Sequence, residues 1–199
     1  MFRKKYVDLT MDLNIALDKF TQKNTEPFNP KLLGHVGTHI DIMNTKGLAV
    51  DRFISKAHLI DVSNIFGREI TMYDAKLDEI DIAPNESVIF NTNWSDLMLE
   101  TSAYFINHPY LSCEMIDYLL HKQVNLIAID APGVRRGKEH HLIDEYCANH
   151  NVFIVENLVN LSAINKKNEI LLYCFPLNFT KNTGVTCRVL VCESVPMSE

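Results

Sequence analysis

VNLIAIDAPGVRRGKEHHLIDEYCANHNVFIVENLV, residues 124–159, carries the pattern that sets the fold class. It opens on VNLIAID (124–130) and closes on VFIVENLV (152–159), two short apolar runs of the length and β-branched character of buried strands. Between them, HHLIDEYCANH (140–150) has helical spacing, with Leu142, Ile143, Tyr146 and Cys147 on one face. Strand, helix, strand is a βαβ unit, and its two strands run parallel.

Further strand-like runs lie on both sides: YVDLTMDL (6–13), HVGTHIDI (35–42), AHLIDVS (57–63), SVIFNT (87–92), EILLYCFPL (169–177) and TCRVLVCE (186–193). A second helix is expected over SCEMIDYLLHKQ (112–123), where Met115, Leu119 and Leu120 recur at helical spacing. With more strand than helix, the class is α/β (mixed α+β) on a mixed sheet. No repeat, linker or low-complexity stretch divides the chain, so residues 1–199 are expected to form one domain.

The bulk properties narrow the function. The net charge is −6, and the basic residues cluster only at RKK (3–5) and RRGK (135–138), which argues against a nucleic-acid partner. No apolar run approaches the length of a membrane span, and none follows MFRKKYVDLT as a signal peptide requires; the expectation is no membrane association and a cytoplasmic location. Five cysteines, an odd number with no CxxC pair, fit a reducing compartment.

The chemistry gathers in HVGTHID, residues 35–41. On an extended strand His35, His39 and Asp41 face the same side. His35 and His39 would stand roughly 13 Å apart at ~3.3 Å per residue, too far for two imidazoles to reach one ion. A shared metal site therefore requires the backbone to bend near Gly37, where glycine permits positive φ. Val36, Gly37, Thr38 and Ile40 make a poor helix, so a bent strand or loop is favoured.

HVGTHID resembles the HxGTHxD signature of the cyclase family of metal-dependent hydrolases, which includes bacterial kynurenine formamidases and isatin hydrolase. The resemblance continues through FNTNWSD (90–96), YFINHPYLSCEMIDYL (104–119), LIAIDAPGV (126–134), VFIVENLVNL (152–161) and the closing RVLV, and so covers most of the chain. It implies a swivelling β/β/α-type fold and a homodimer or homotetramer. It also implies one or two divalent ions, Zn or Mn, bound by His35, His39, Asp41 and Glu156. Trp94 is placed by it as one wall of an aromatic substrate pocket.

Two departures bear on function. The family pattern runs on as HxGTHxDxPxH, and here Met43 and Thr45 stand at the proline and the last histidine; threonine cannot serve as a general acid/base near neutral pH. Twelve residues before Glu156 the family has a metal-binding histidine and this chain has Asp144, an oxygen donor that makes the site harder and shifts preference towards Mn or Mg. His140 and His141 lie about one turn earlier as alternative imidazoles. Proton delivery then falls to Glu156 or Asp144, or to His140 or His141 if their loop folds over the site, with Thr45 and His141 left as substrate contacts. The RRGK loop is a further candidate contact for an anionic substrate, and Asp130 is either a site residue or a turn residue. Two functions follow: a hydrolase of a cyclic or aryl amide, nearest to the arylformamidase that takes N-formylkynurenine to kynurenine, or a metal-binding, catalytically weak relative that binds or senses a small molecule.

Overall fold

The computed structural model describes residues 2–23, 34–43, 45–165, 169–178 and 182–196. The expected βαβ unit is present: β7 (Leu126–Ile129), α5 (Lys138–Asn149) and β8 (Phe153–Glu156), with the two strands parallel. It sits in a mixed sheet whose other members are β1 (Phe2–Asp8), β2 (His39–Asp41), β3 (Ile54–Asp61), β5 (Ser87–Asn91), β9 (Ile170–Pro176) and β10 (Gly184–Pro196). The order is β1-β10-β2-β8-β7-β5-β3-β9, and β9 also pairs with β10, so the sheet closes on itself as a barrel with β1 added outside. β3, β5, β7 and β8 are mutually parallel; the pairs made by β1, β2, β9 and β10 are antiparallel. Strands β4 (Glu69–Ile70) and β6 (Tyr110–Leu111) form a separate two-stranded ribbon.

Strands β5, β7 and β8 are buried along their whole length because both of their faces are covered, whereas β3 alternates buried and exposed residues. Ile89, Leu126, Ala128, Phe153 and Val155 point into one core, which they share with Val189 and Val191 of β10. The alternate residues Val88, Phe90, Ile127, Ile129 and Ile154 point into a second core. There they meet Met115, Ile116 and Leu119 of α4 (Cys113–His121), whose N-cap Ser112 accepts a hydrogen bond from the Met115 N–H. Helix α1 (Leu13–Lys23), which the sequence does not announce, follows β1, and the short helices α2 (Met72–Ala75) and α3 (Trp94–Met98) lie between the strands.

The phase of α5 differs from expectation. Its buried residues are Asp144, Cys147 and Ala148, while Leu142 is 61% exposed and Tyr146 41%. The helix presents a partly polar inner face because the N-terminal half of that face overlooks the site rather than the core. No disulfide joins the five cysteines.

Candidate metal centre

Strand β2 is the end of HVGTHID, and its register sets the site. His39 lies directly opposite Glu156 of β8 in the antiparallel pair. The backbone bends where a glycine was needed: Gly37 has φ +68°, and residues 36–38 are bends rather than strand. The turn brings the His35 and His39 rings edge to face with centroids 4.8 Å apart, in place of the separation a straight strand would impose. Thr38 pins the bend, its hydroxyl donating to the Asn157 carbonyl at 2.7 Å and accepting from the Met11 N–H at 2.8 Å. Gly184 of β10 makes room for the His35 ring; a Cβ there would lie 2.4 Å from Cε1.

The sequence-predicted ligands converge. Asp41 Oδ1 lies 3.2 Å from His35 Nδ1 and 3.6 Å from His39 Nε2. Glu156 Oε2 lies 3.6 Å from His39 Nε2, and its Oε1 lies 3.0 Å from His140 Nε2. Asp144 Oδ2 is 3.3 Å from the same His140 nitrogen, the two residues being one helical turn apart on α5. His140 and Asp144 thus reach the site together. His39, Asp41, Asp144 and Glu156 are all buried.

Charge crowding shows in the proton affinities. Burial, then Asp41 and Glu156, push the Asp144 carboxyl up to about 9. Glu156 draws the His140 imidazolium up to about 10 against the pull of burial. Burial would raise Glu156, but His140 outweighs it and holds the carboxyl down at about 2. His35 is raised as well: burial opposes its charge, and the hydrogen bond to Asp41 overrides that.

These residues fit a divalent cation. Two groups, His35–His39–Asp41 and Asp41–His140–Asp144–Glu156, each offer ligand atoms lying within 4.8 Å of one another. Among the described residues four buried side-chain polar atoms lack a hydrogen-bond partner, and two of them, Asp41 Oδ2 and Asp144 Oδ1, belong to this cluster. A buried carboxylate oxygen without a partner is costly unless a proton or a cation satisfies it.

The surroundings hold the ligands in orientation. His39 Nδ1 faces the Gly37 carbonyl at 2.9 Å, which leaves Nε2 directed at the carboxylates. The Asn157 side-chain amide donates to the same carbonyl at 3.2 Å and accepts at Oδ1 from the Tyr104 hydroxyl at 2.9 Å. Burial, with Asp130 and Glu156 nearby, raises the Tyr104 phenol well above its ordinary value, so it stays a donor. Tyr104→Phe is expected to weaken cation binding about tenfold while leaving every ligand in place, because such supporting contacts fix ligand geometry. Chelator competition on the purified variant measures this, and an unchanged affinity would show the Tyr104–Asn157 link to be purely structural.

A cavity of about 410 Å³ opens over the cluster, within the range of small-molecule sites. Its polar side includes His35, His39, His140, His141, Asp144 and Glu156, and Met43, Phe105 and Pro132 contribute apolar wall. Phe105, Asn157 and Thr183, whose hydroxyl lies 2.9 Å from His35 Nε2, were not singled out from sequence. Phe105 lies in the family-like segment YFINHPYLSCEMIDYL (104–119), the one signal that points to it.

Two proposed substrate contacts lie elsewhere. Trp94 is 1% exposed and does not line the cavity; its indole N–H donates to the Tyr104 carbonyl at 2.9 Å and its ring packs on Phe66. Thr45 is also absent from the lining; its hydroxyl donates to the Ile42 carbonyl at 2.6 Å and accepts from the Gly47 N–H at 3.1 Å, which ties a turn. His141 does line the cavity, exposed at its mouth.

Other polar residues are absorbed by structure. Asp130 accepts from the Thr92 N–H, the Thr92 hydroxyl and the Trp94 N–H, and burial raises it to about 6 against those bonds. Arg135 pairs with Glu69 and Glu139, and both Arg135 and Arg136 stack on Tyr110, so those two guanidinium groups of the RRGK loop are engaged away from the cavity. His108 is buried, with its Nδ1 3.0 Å from the Pro109 carbonyl, and burial lowers it to about 4. Among the described residues no helix is long and apolar enough to cross a membrane.

With the site in view, the comparisons assign the chain. The Cyclase family, described as "Putative cyclase", matches residues 7–136, and the protein belongs to that family. No curated protein sequence matches it. Solved structures share its fold, three of which follow. An isatin hydrolase bound to the product analogue thioisatinate superposes with a TM-score of 0.77 at 21% identity, covering 98% of this chain and 93% of that one. A potential metal-dependent hydrolase with cyclase activity gives 0.74 at 23% identity, covering 98% and 100%. Isatin hydrolase A from Ralstonia solanacearum gives 0.75 at 16% identity, covering 95% and 92%.

Proposed function

We propose that the protein is a metal-dependent hydrolase that cleaves the amide C–N bond of a small cyclic or aryl amide, consuming water and releasing a carboxylate and an amine. The observation that carries this is the convergence of His35, His39, Asp41, Asp144 and Glu156 at one end of a cavity, with two buried carboxylate oxygens left unpartnered. Zn or Mn held there would supply an activated water and polarise the amide carbonyl. Phe105 and Met43 form a wall for a flat aromatic substrate. The isatin hydrolases of the same fold favour a lactam fused to an aromatic ring, and the family resemblance favours an aryl formamide such as N-formylkynurenine. A cytoplasmic enzyme assembled as a homodimer or homotetramer completes the reading; the exposed Leu171 and Phe175, with Tyr6 and Tyr173 in a row on the outer sheet face, support self-association.

The leaving nitrogen needs a proton. His140 faces two carboxylates, whereas His141 stands at the mouth of the cavity, so His141 is the group assigned to deliver it. His141→Ala is expected to lower kcat about a hundredfold on amides with a poorly leaving alkylamine, and less on anilides, with cation content unchanged. Equal loss on both substrate types, or none, removes that role from His141.

Screening N-formylkynurenine, formanilides and isatin against cation-loaded and chelator-treated protein tests the proposal as a whole. Cation-dependent turnover of any of them is the expected result, and a loaded protein that turns over none of them overturns it. The second reading, a metal-binding protein of weak chemistry, draws on Thr45, which puts no acid or base in the cavity; retained cation without turnover is its signature.

A further inference from the structure

We infer that Arg136 is a positioning residue for substrate: it fixes the Phe105 wall of the cavity to the chain that leads into α5, and so sets the ring size that the cavity grips. The inference deepens the amide-hydrolase reading and rests on it for the substrate, though not for the position of the wall. Two chain segments meet at the cavity. One is the stretch before β6, which supplies Phe105; the other runs into α5 and supplies Pro132, Gly137, His140 and His141. At β6 they are joined by main chain and by Arg135: the Leu111 N–H donates to the Val134 carbonyl at 2.9 Å, and Arg135 Nη1 donates to the Leu111 carbonyl at 2.8 Å. Towards Phe105 the join passes to Arg136, whose guanidinium donates to the His108 carbonyl and stacks on the Tyr110 ring, 4.6 Å from its centroid.

Phe105 thus lies between two pins. On one side Tyr104 is held at its carbonyl by the Trp94 indole N–H and at its hydroxyl by Asn157 Oδ1, each at 2.9 Å. On the other side His108 is held by Arg136. Asn157 follows Glu156, and Arg136 stands four residues before His140, so both pins refer the wall to the metal centre. Stability alone does not account for Arg136. Arg135 has Glu69 and Glu139 as partners, whereas Arg136 makes no ion pair among the described residues and its buried Nε has no hydrogen-bond partner. A half-buried cation left in that state carries a cost. What the guanidinium gains is geometry: its planar fork reaches a main-chain carbonyl and a ring face at once, which the point charge of a lysine does not reproduce.

The test is Arg136→Leu and Arg136→Lys, read in two ways. Trp94 is the only tryptophan, and its indole is bonded to the residue before Phe105, so acrylamide quenching of its fluorescence reports the wall without any turnover. Quenching is expected to rise at least about twofold in Arg136→Leu, and less in Arg136→Lys. On cation-loaded protein, KM for formanilide is expected to rise about tenfold with kcat held within about twofold, while KM for the wider N-formyl-2-aminonaphthalene stays level or falls. Cation content equal to that of the native protein shows that the fold and the centre survive; should Arg136→Leu lose it, Arg136→Lys decides. Unchanged quenching, or KM values that rise together for the two amides as general loosening would make them, overturns the inference and leaves the hydrolase reading standing. A native protein that turns over neither amide removes the hydrolase reading instead, and the quenching then decides whether Arg136 holds the wall.

Discussion

His39→Ala is expected to abolish cation retention and to lower turnover by at least about a hundredfold, the largest effect of any single replacement in this protein. His39 is the hinge of the cluster: it faces Asp41 and Glu156 through Nε2, meets His35 edge to face, and is oriented through Nδ1 by the Gly37 carbonyl. Its removal takes a nitrogen donor from between Asp41 and Glu156. Elemental analysis, steady-state kinetics and circular dichroism on the same preparation separate loss of the ion from loss of the fold. Unchanged turnover in a cation-free His39→Ala protein would sink the metal-dependent reading.

The second large effect is a reversal of pH dependence by the cation. Asp144 keeps its proton to about 9 in the folded chain but loses it near 3.8 when unfolded, so across that interval the native state binds more protons and stability falls as pH rises. His140 acts in the same direction: the stability it contributes is complete below 6.5 and is lost as pH rises through about 10. Glu156 runs the other way, contributing stability above 4.5 that disappears as pH falls towards about 2. The cation-free protein should therefore melt at a lower temperature at pH 9 than at pH 6. A bound cation takes the place of the protons on His140 and Asp144, and so its stabilising effect grows with pH. The difference in Tm between loaded and chelated protein is expected to be larger at pH 9 than at pH 6 by on the order of 5 °C. An equal difference at both pH values would mean that no protons leave on binding, and that His140 and Asp144 are not ligands.

The parallel core of the fold was legible in the sequence because its strands are apolar on both faces and short. VNLIAID and VFIVENLV could hardly be anything but buried neighbours. The bend in HVGTHID was legible too, since a distance argument demanded it and Gly37 supplied it. Helix α5 shows where such reasoning stops. Apolar spacing favours Leu142, Ile143, Tyr146 and Cys147 as its inner face; Cys147 is buried and Ile143 packs against the core, but Leu142 and Tyr146 are exposed, and Asp144 points inward because its neighbours are charged groups rather than hydrocarbon. Periodicity registers hydrophobicity and takes a polar inner face for an outer one. Trp94 erred in the opposite sense: an aromatic residue within a family motif suggested a pocket wall, but its indole N–H is satisfied inside the core. Phe105 comes to the cavity through tertiary contacts that no local spacing encodes, whereas Asn157 is placed by following Glu156 directly.

Strand β10 has a consequence for how the protein is made. It pairs with β1, β2 and β9, and residues that meet across the β1–β10 seam, such as Tyr6 and Cys192, lie almost a whole chain length apart. As the polypeptide leaves the ribosome, β2 and β8 can meet, but the barrel has no last stave until β10 emerges. Native structure of this kind, dominated by distant pairings, forms slowly. During that interval the edges of β1, β2 and β9 stand open, and a nascent chain stalled before Gly184 is the species most exposed to aggregation and most in need of a chaperone.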